Sequence, residues 1–576
     1  MSGDDRPEPN HGFDDSRRLT GANRWFGGPA VTLTPLGPAA DDPQVHAVWA
    51  ERVRAMCGAL GWPDAQPVVE RHAAGTLLVF AAPEDLLFTA TEVNEWAWER
   101  AAAEAGDTAF DLAQDLGERA VPIFAARAAA EGLPALAHLR AAAQAHGLPL
   151  LEDDAEVSLG AGSGSRRWPR AALPAVDAVP WGTLHDVPTA LVTGSNGKTT
   201  TVRLLAAIAT AAGLTPGLCS TEGVLVGGQL VAPGDYAGPA GAREVLRHAQ
   251  VQVALLETAR GGLLRRGLAL RRADVAVVTN ISPDHLGEYG IEDADDLAET
   301  KLVVAHAVVN GGTLVLNADD ATLMAAAERL PHAATTRRAL FAFDAAHPAL
   351  LALRAAGGSS CGVSDGQLCL HHGGQRHLLG AVTALPLTLG GAARHNVANL
   401  AAAAVAAAAL GLPLAAIQAT LQTFGAAPQD NPGRLERWSH RGATVLIDYA
   451  HNPDGLAQLL AVARALQPKR LLLLLGQAGN RDNAAITELA RTAAAAAPDL
   501  VVIKELPLML RGRAPGEVTA LLAAVLPAER TVIEPDEEAA ALLLLAAAGP
   551  GDVVVLPIHT AAVRASLALK LGSPGG

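Results

Sequence analysis

The chain has 576 residues, half of them hydrophobic and only 3% aromatic, which leaves room for several packed domains and excludes global disorder. Lys and Arg number 44 against 59 Asp and Glu, a formal charge of −15 that suits neither nucleic-acid phosphates nor anionic lipid, so no nucleic acid and no membrane is expected as a partner. The four cysteines, Cys57, Cys219, Cys361 and Cys369, form no C-x-x-C pair, so neither a zinc ribbon nor a disulfide framework is expected and a reducing cytoplasm is the default compartment.

The opening residues, MSGDDRPEPNHGFDD, are acidic and polar and lack the apolar core of a secretory signal. From there to about residue 155, short strand-like runs such as TLLVFA (76–81) mix with Ala-rich helical text, an α+β pattern. Glu70, His72 and Glu84 stand beside those runs and read as ordinary surface side chains. Residues 156–188 carry GAGSGSRRWPR (160–170) and several prolines, the composition of a linker or an exposed loop.

A different texture begins at 189. Strands ALVTG (190–194), VALLE (253–257), DVAVVTN (274–280) and TLVLN (313–317) alternate with helical text over 199–212 and near 293–309. Continuous apolar strands between helices predict a mainly parallel, doubly wound sheet covered on both faces. The uncharged run 400–417 is mostly Ala and contains Gly411 and Pro413, so it reads as a buried helix and a turn, not a membrane span. A second alternating block follows, with strands TVLIDYA (444–450), RLLLLLG (470–476), LVVIKE (500–505) and DVVVLP (552–557), and predicts a Rossmann-like α/β domain. The expected division is therefore 1–155, a linker over 156–188, a central domain over 189–430 and a C-terminal domain over 431–576.

The chemistry starts at residues 193–200, Thr-Gly-Ser-Asn-Gly-Lys-Thr-Thr, between a strand and a helix. Gly194, Ser195, Asn196 and Gly197 would turn backbone N–H groups toward an anion, and the helix N-terminus adds partial positive charge. Lys198 would reach the terminal phosphates of a nucleotide, the Thr199 hydroxyl a Mg²⁺ ion, with Thr200 beside them. The long phosphate-loop pattern wants Gly five residues before Gly197, and Val192 stands there, so this is the shorter G-x-x-G-K-T form. Glu257 and Asn280 end two later strands, where parallel sheets gather their ligands, and Glu257 is the hard-oxygen ligand Mg²⁺ would want. His285, with Asn280 and Asp284 nearby, either caps, packs or ligates metal. Lys301, sixteen residues on, is by chemistry alone a solvated helix lysine or a site residue. His395 and Asn396 open a helix, where Asn396 either serves the helix start or reads an adenine edge. Arg434 lies at the junction of the two α/β blocks, a solvated linker arginine or one that enters a site on closure to stabilise a transferring phosphoryl group. Asp448 and His451, in LIDYAHNPDG (446–455), follow another strand end, where Asp448 could hold a ribose hydroxyl.

Taken together these elements resemble the Mur ligase superfamily, in the family's order and over about 189–576. Within it the match resembles most the ligase domain of the cyanophycin synthetases, through GDYAGP (234–239), LETARGGLLRRGL (256–268), DHLGEYGI (284–291) and LRGRAPGE (510–517); RRLTGANRWFGGPAVTL (17–33) resembles the opening of their N-terminal domain. The resemblance implies ATP with one or two Mg²⁺ ions, Lys198 and Thr199 on phosphate and metal, Glu257 on the first metal and His285 on a second. It also matches Lys301 to a lysine carbamylated in several Mur ligases, and puts Asn396 on adenine, Arg434 on the phosphates and Asp448 on the ribose. The implied reaction is ATP-dependent amide formation through an acyl phosphate, joining an amino acid such as arginine to an aspartate carboxylate of a cyanophycin-like peptide or polymer. A Mur-type ligase for another amino acid and acid, or a non-catalytic partner subunit, are the competing readings.

Two departures qualify the match. Cyanophycin synthetases carry an ATP-grasp domain that extends the aspartate backbone, and here residues 156–188 stand in its place. A separate ATP-grasp or cyanophycin synthetase-type protein is therefore an expected partner, and homo-oligomerisation is left open. GQAGNRDN (476–483) replaces a more charged segment, which bears on the choice of amine.

Overall fold

The computed structural model describes residues 12–73, 75–107, 116–283, 287–331 and 336–572. The chain packs as two compact units. Met1–Gly194, Gly213–Leu316 and Asp320–Arg338 form the first, and Ser195–Ala212, Asn317–Asp319 and Ala339–Gly576 the second.

The first unit opens with a four-stranded antiparallel sheet in the order Phe13–Leu19, Ala30–Pro35, Gly75–Ala81, Val68–His72. Both faces are apolar. Val31, Leu33, Leu78 and Phe80 pack with Trp49, Val53, Val93 and Trp98 of helices Pro43–Ala59 and Leu87–Glu104, while Leu19, Ala30, Leu77 and Val79 pack with Trp25 and Phe26. Trp49 is fully buried and donates its indole N–H to Asn94 Oδ1 at 2.9 Å, so the ring's one polar atom is satisfied.

Residues 156–188, expected to form a linker, are instead built into this unit. Strands Leu150–Glu152, Glu156–Leu159 and Arg166–Pro169 make a small antiparallel sheet, and Leu159 and Val179 share a core with Leu139 and Ala143. The small residues that read as loop serve close packing. A Cβ on Gly162, whose φ is +53°, would stand 2.2 Å from Val251 O. Arg247, 4% exposed, follows helix Pro239–Leu246 and ties the small sheet down, donating to Leu151 O at 3.3 Å, Glu156 O at 3.1 Å and Ser158 Oγ at 3.2 Å and pairing with Asp153.

Five strands of the first unit run parallel in the order Pro216–Ser220, Val253–Glu257, Thr189–Thr193, Ala273–Val278, Val308–Asn317, with the Gly223–Val226 and Gln229–Pro233 hairpin antiparallel at one edge. Every residue of Thr189–Thr193 and Val253–Glu257 is buried, as central strands between helix layers require. Register sets Glu257 opposite Val192 and Val278 opposite Thr193, so these carboxyl ends stand level. The helix expected over 293–309 is shorter, Ala294–Leu302, then one 3₁₀ stretch to Ala307 before the strand begins at Val308. Val303, Val304, Val308 and Val309 disfavour helix at that point, which the apolar pattern alone did not mark.

In the second unit helix Lys198–Ala211 packs on helices Arg394–Ala409 and Leu414–Thr423. The Ala-rich helix is buried all round from 399 to 408, the signature of a core helix. Strands Arg337–Asp344 and Ser359–Ser364 are parallel, and Gln367–His372 and Gln375–Ala381 add antiparallel to them, a block the strand alternation had not predicted. The C-terminal sheet has six strands in the order Glu436–His440, Ala443–Asp448, Val553–Pro557, Leu471–Leu475, Leu500–Ile503, Thr531–Ile533, all parallel after the first hairpin. Its central strand is five leucines: Leu471, Leu473 and Leu475 join one core and Leu472 and Leu474 the other, which is the doubly wound arrangement expected. Among the described residues no single helix is long and apolar enough to cross a membrane.

Arg247 offers a stability test. Arg247→Ala strands Asp153 and three other acceptors and should destabilise the protein by about 3–5 kcal/mol in urea titrations. Burial pushes the Asp153 carboxyl up, but the Arg247 guanidinium and the N–H groups of Glu156 and Ala155 outweigh it and hold it down to about 2, against 3.8 for a free aspartate. The depressed value means the pair's contribution is complete above pH 3.8 and drains away as pH falls toward 2. The stability gap between wild type and Asp153→Asn, followed by denaturant melts, should close over that window.

Candidate active site

Strand Thr189–Thr193 delivers the chain into the 194–197 loop, and helix Lys198–Ala211 carries it away. Gly197 sits at φ +85°, just before the first helical turn, and a Cβ there would lie 2.2 Å from Asn399 Oδ1. Asn399 donates to Asn396 Oδ1 at 3.0 Å, and Asn396 donates to Leu387 O at 3.1 Å. Asn396 is thus 3% exposed with both ends of its amide engaged, and it supports the loop through Asn399. Lys198 Nζ donates to Ser195 O at 2.9 Å within the loop.

Three later segments of the second unit close around this helix N-terminus. Asn431 donates to Thr200 Oγ1 at 3.2 Å and accepts from Arg203 Nη1 at 3.2 Å, while Arg434 Nη2 reaches Thr199 Oγ1 at 3.4 Å. Asn196 donates to Asp454 Oδ2 at 2.8 Å and accepts from Asn452 Nδ2 at 3.2 Å; Asn452 also caps helix Pro453–Ala465 by accepting from Gly455 N at 2.8 Å. Asp448 accepts from Leu435 N at 2.7 Å, fixing the residue after Arg434, whose own φ is the left-handed +56° at Leu435. The structure therefore brings Ser195, Asn196, Gly197, Lys198, Thr199, Thr200, Asn396, Arg434 and Asp448 into one neighbourhood of the second unit.

Gly194, Glu257, Asn280 and Lys301 belong to the first unit, while His395 and His451 lie in the second. Glu257 ends its strand 1% exposed, and Thr258 N donates to Val192 O at 2.8 Å beside it. Gly194 follows the adjacent strand, and Thr279 Oγ1 donates to Thr193 O at 3.3 Å just before Asn280. Lys301 is in the last turn of Ala294–Leu302 and only 4% exposed, so it does not sit on a solvated helix face. Asp284 and His285 lie outside the described residues. Among the described residues no cluster of three or more His, Cys, Asp or Glu could hold a metal ion by itself. The Thr199 hydroxyl at the phosphate-type loop suits Mg²⁺, which keeps phosphate oxygens and water among its ligands.

Sequence reasoning missed a buried chain of groups at the carboxyl edge of the C-terminal sheet. Lys504, fully buried, donates to the Glu537 carboxylate and to Pro557 O and lies 3.1 Å from His559 Nδ1. Glu537 accepts from His559 N at 2.8 Å and Thr560 N at 3.1 Å. Burial pulls the Lys504 ammonium down to about 8, with Glu537 resisting, and burial holds the His559 imidazole well below its ordinary value. An ammonium only donates, so Nδ1 accepts and the proton of neutral His559 is on Nε2. His559 meets Tyr449 edge-on, ring centroids 5.1 Å apart, and the Arg434 guanidinium lies 4.6 Å from the Tyr449 ring centre. Lys504 thus reaches Arg434 through two rings. A lysine immediately after an unbroken apolar strand was the available signal.

The 476–483 and 510–517 segments are laced together beside it. Arg513 donates to Gly479 O at 2.9 Å and Arg481 O at 2.7 Å, Gly479 N donates to Met509 O at 2.8 Å, and Gln477 donates to His451 O at 3.0 Å.

Comparison with known proteins identifies two family domains in the chain. The model of the Mur ligase middle domain matches residues 192–407, and that of the Mur ligase, glutamate ligase domain, matches 433–557. The chain is 36% identical over 353 residues to the cyanophycin synthetase of Trichormus variabilis, covering 61% of this chain and 38% of that one. It is 31% identical over 379 residues to the UDP-N-acetylmuramoyl-L-alanyl-D-glutamate–2,6-diaminopimelate ligase of Xanthomonas campestris pv. campestris, covering 63% of this chain and 70% of the relative. The bifunctional folylpolyglutamate synthase/dihydrofolate synthase of Yersinia pestis, solved with AMPPNP and Mn ion, superposes with a TM-score of 0.49 at 21% identity over 66% of this chain and 88% of that one. The chain spans about two-fifths of the length of the cyanophycin synthetases it matches.

The loop geometry makes Gly197 testable. Gly197→Ala adds left-handed strain of about 1–3 kcal/mol and drives a methyl into Asn399, so calorimetric binding of a non-hydrolysable ATP analogue should weaken by at least tenfold. Gly228→Ala, also at positive φ (+82°) but with open space around it, should bind like wild type.

Proposed function

This chain belongs to the Mur ligase family, and we propose that it is an ATP-dependent carboxylate–amine ligase working through an acyl phosphate. The observation that carries this reading is the convergence on one helix N-terminus of Lys198, Thr199 and Arg434, with Asn196 held by Asn452 and Asp454. A helix N-terminus with a flanking lysine and arginine is built for a polyphosphate.

A substrate carboxylate oxygen attacks the γ-phosphorus of ATP, the bond to the β-phosphate oxygen breaks, and ADP leaves. Lys198 and Arg434 offset the charge spread over the transferring phosphoryl oxygens. The amine nitrogen of the second substrate then attacks the acyl carbon, phosphate departs with the carbon–oxygen bond pair, and the nitrogen loses a proton to give the amide. Thr199 and Glu257 are the proposed Mg²⁺ ligands, with His285 and a carbamylated Lys301 assigned to a second ion; bound Mg²⁺ supplies charge neutralisation on the phosphates. Tyr449, stacked under Arg434, and Asp448, on the backbone at Leu435, hold the arginine's approach to Thr199.

For substrates, we infer an aspartate side-chain carboxylate on a cyanophycin-like peptide and an amino acid such as arginine as the amine, with a separate ATP-grasp enzyme making the backbone. The likeness to cyanophycin synthetases supports this. A second reading, another amino acid and acid, is favoured by the sparsely charged 476–483 segment that Arg513 holds in place. Incubation with Mg-ATP, Asp-containing peptides and each amino acid in turn, scored by ADP release and product mass, separates the two. In that assay Lys198→Ala should lose amide formation by roughly a hundredfold or more. Wild-type turnover in the variant would overturn the assignment.

A further inference from the structure

The N-terminal sheet is joined to the segment that carries Lys301 by a partly buried ion cluster. Arg24, in the connection between strands Phe13–Leu19 and Ala30–Pro35, has a side chain only 11% exposed. Its Nη1 lies 2.8 Å from Glu70 Oε1 of its own domain and 3.4 Å from Gly290 O. Its Nη2 pairs with Asp296 and lies 3.5 Å from Glu299 Oε2, both on helix Ala294–Leu302. Trp25 Nε1 donates to Glu70 Oε2 at 2.5 Å, so Glu70 is held from both sides. The same face is sewn by backbone: Thr20 N donates to Arg266 O at 2.7 Å and Leu268 N to Ala22 O at 2.8 Å. Ala73 N donates to the Glu292 carboxylate, and the Arg17 guanidinium covers the Tyr289 ring at 4.7 Å.

Apart from the two backbone bonds to Arg266 and Leu268, these contacts grip one short stretch, 289–299. Helix Ala294–Leu302 has nine residues, too few to hold itself in place, so tertiary contacts set its rotation. Asp296 and Glu299 are three apart and share the face that meets Arg24. Lys301 is five residues beyond Asp296, about 140° round the helix from it, and is buried. A cation gripping one face therefore fixes the direction of the residue on the other.

We propose that Arg24 is a positioning residue: through Asp296 and Glu299 it sets the rotation of helix Ala294–Leu302, and the N-terminal domain is thereby a working part of the ligase module. The kinetic consequence rests on the proposed role of Lys301; the structural consequence does not. Without Arg24, Glu70 and Asp296 face one another uncompensated, Glu299 keeps only its 3.2 Å pair with Arg329, and the helix loosens.

The test uses the full chain with Arg24→Ala and Arg24→Lys. By hydrogen exchange, amide protection over 294–302 should fall by roughly tenfold or more in Arg24→Ala, while helix Lys198–Ala211 and the affinity for a non-hydrolysable ATP analogue stay within about twofold of wild type. The kcat for ADP release should fall by about tenfold or more with the KM for ATP unchanged, and Arg24→Lys should recover much of it. If Arg24→Ala does not fold by circular dichroism, Glu299→Gln, which removes the longest arm together with the Glu299 pair to Arg329, should show the same pattern at a few-fold, while Arg329→Ala, which leaves the Arg24 arm in place, should not. Unchanged protection over 294–302, or loss spread equally over the whole molecule, overturns the proposal. A wild-type chain without turnover would refute the ligase reading and leave the exchange result to decide this one.

Discussion

A backbone turn that aims several N–H groups at one point is unfavourable until an anion arrives, and something must hold it meanwhile. Here the holding group is an amide. Asn399 Oδ1 lies against Gly197 so closely that only glycine fits, and Asn399 is itself steadied by Asn396, which is steadied by Leu387 O. The relay belongs to a helix whose Ala-rich surface is buried all round and so cannot rotate without breaking its packing. Neutral amides suit this task. A carboxylate in the place of Asn399 would repel the phosphates proposed to sit on the loop, and a cation would compete with Lys198.

The C-terminal sheet solves a related problem with charge. Arg434 must approach Thr199 yet keep a defined direction, and it has no rigid strand to ride on, since it follows the Gly433 turn at φ +68°. Its direction comes from the Tyr449 face, whose ring is met edge-on by His559, whose Nδ1 is held by Lys504. Lys504 is expensive to bury, and its three N–H groups are all matched, by Glu537, Pro557 O and His559. A hydrophobic residue of like volume would pack as well in the sheet, but it could not fix the tautomer and tilt of His559.

What the residues disclosed, and what they withheld, follows the range of the interactions. Central parallel strands such as Val253–Glu257 and Leu471–Leu475 were legible because burial on both faces writes a continuous apolar run. The phosphate loop was legible because its glycines, lysine and threonine are consecutive. The segment 156–188 was misread because glycine has two opposite uses, flexible chain and closest packing, and only the neighbour, Val251 O in the case of Gly162, tells them apart. Lys301 was ambiguous because one helix turn shows no face until its surroundings are known, and those place it in the interior. Glu70 read as surface for the same reason: its partner Arg24 is 46 positions earlier, and the helix both serve lies more than 200 positions later.

That separation bears on how the chain is organised. Texture divides it near residue 155, yet the contacts of the N-terminal sheet do not stop there. Arg17 donates to Leu264 O at 2.8 Å, Arg271 pairs with Glu84 at 2.5 Å, and the Thr20 and Leu268 backbones exchange hydrogen bonds with the partner segments. Backbone bonds of this kind tolerate no register shift, unlike side-chain contacts at a hinge. A domain meant to swing freely on a linker would show polar, water-filled contacts at such a boundary. One that shares a partly buried arginine with a neighbouring helix moves with that helix. The N-terminal sheet and the parallel sheet of the first unit therefore behave as one body, and the sequence boundary between them marks a change of composition, not of mechanics.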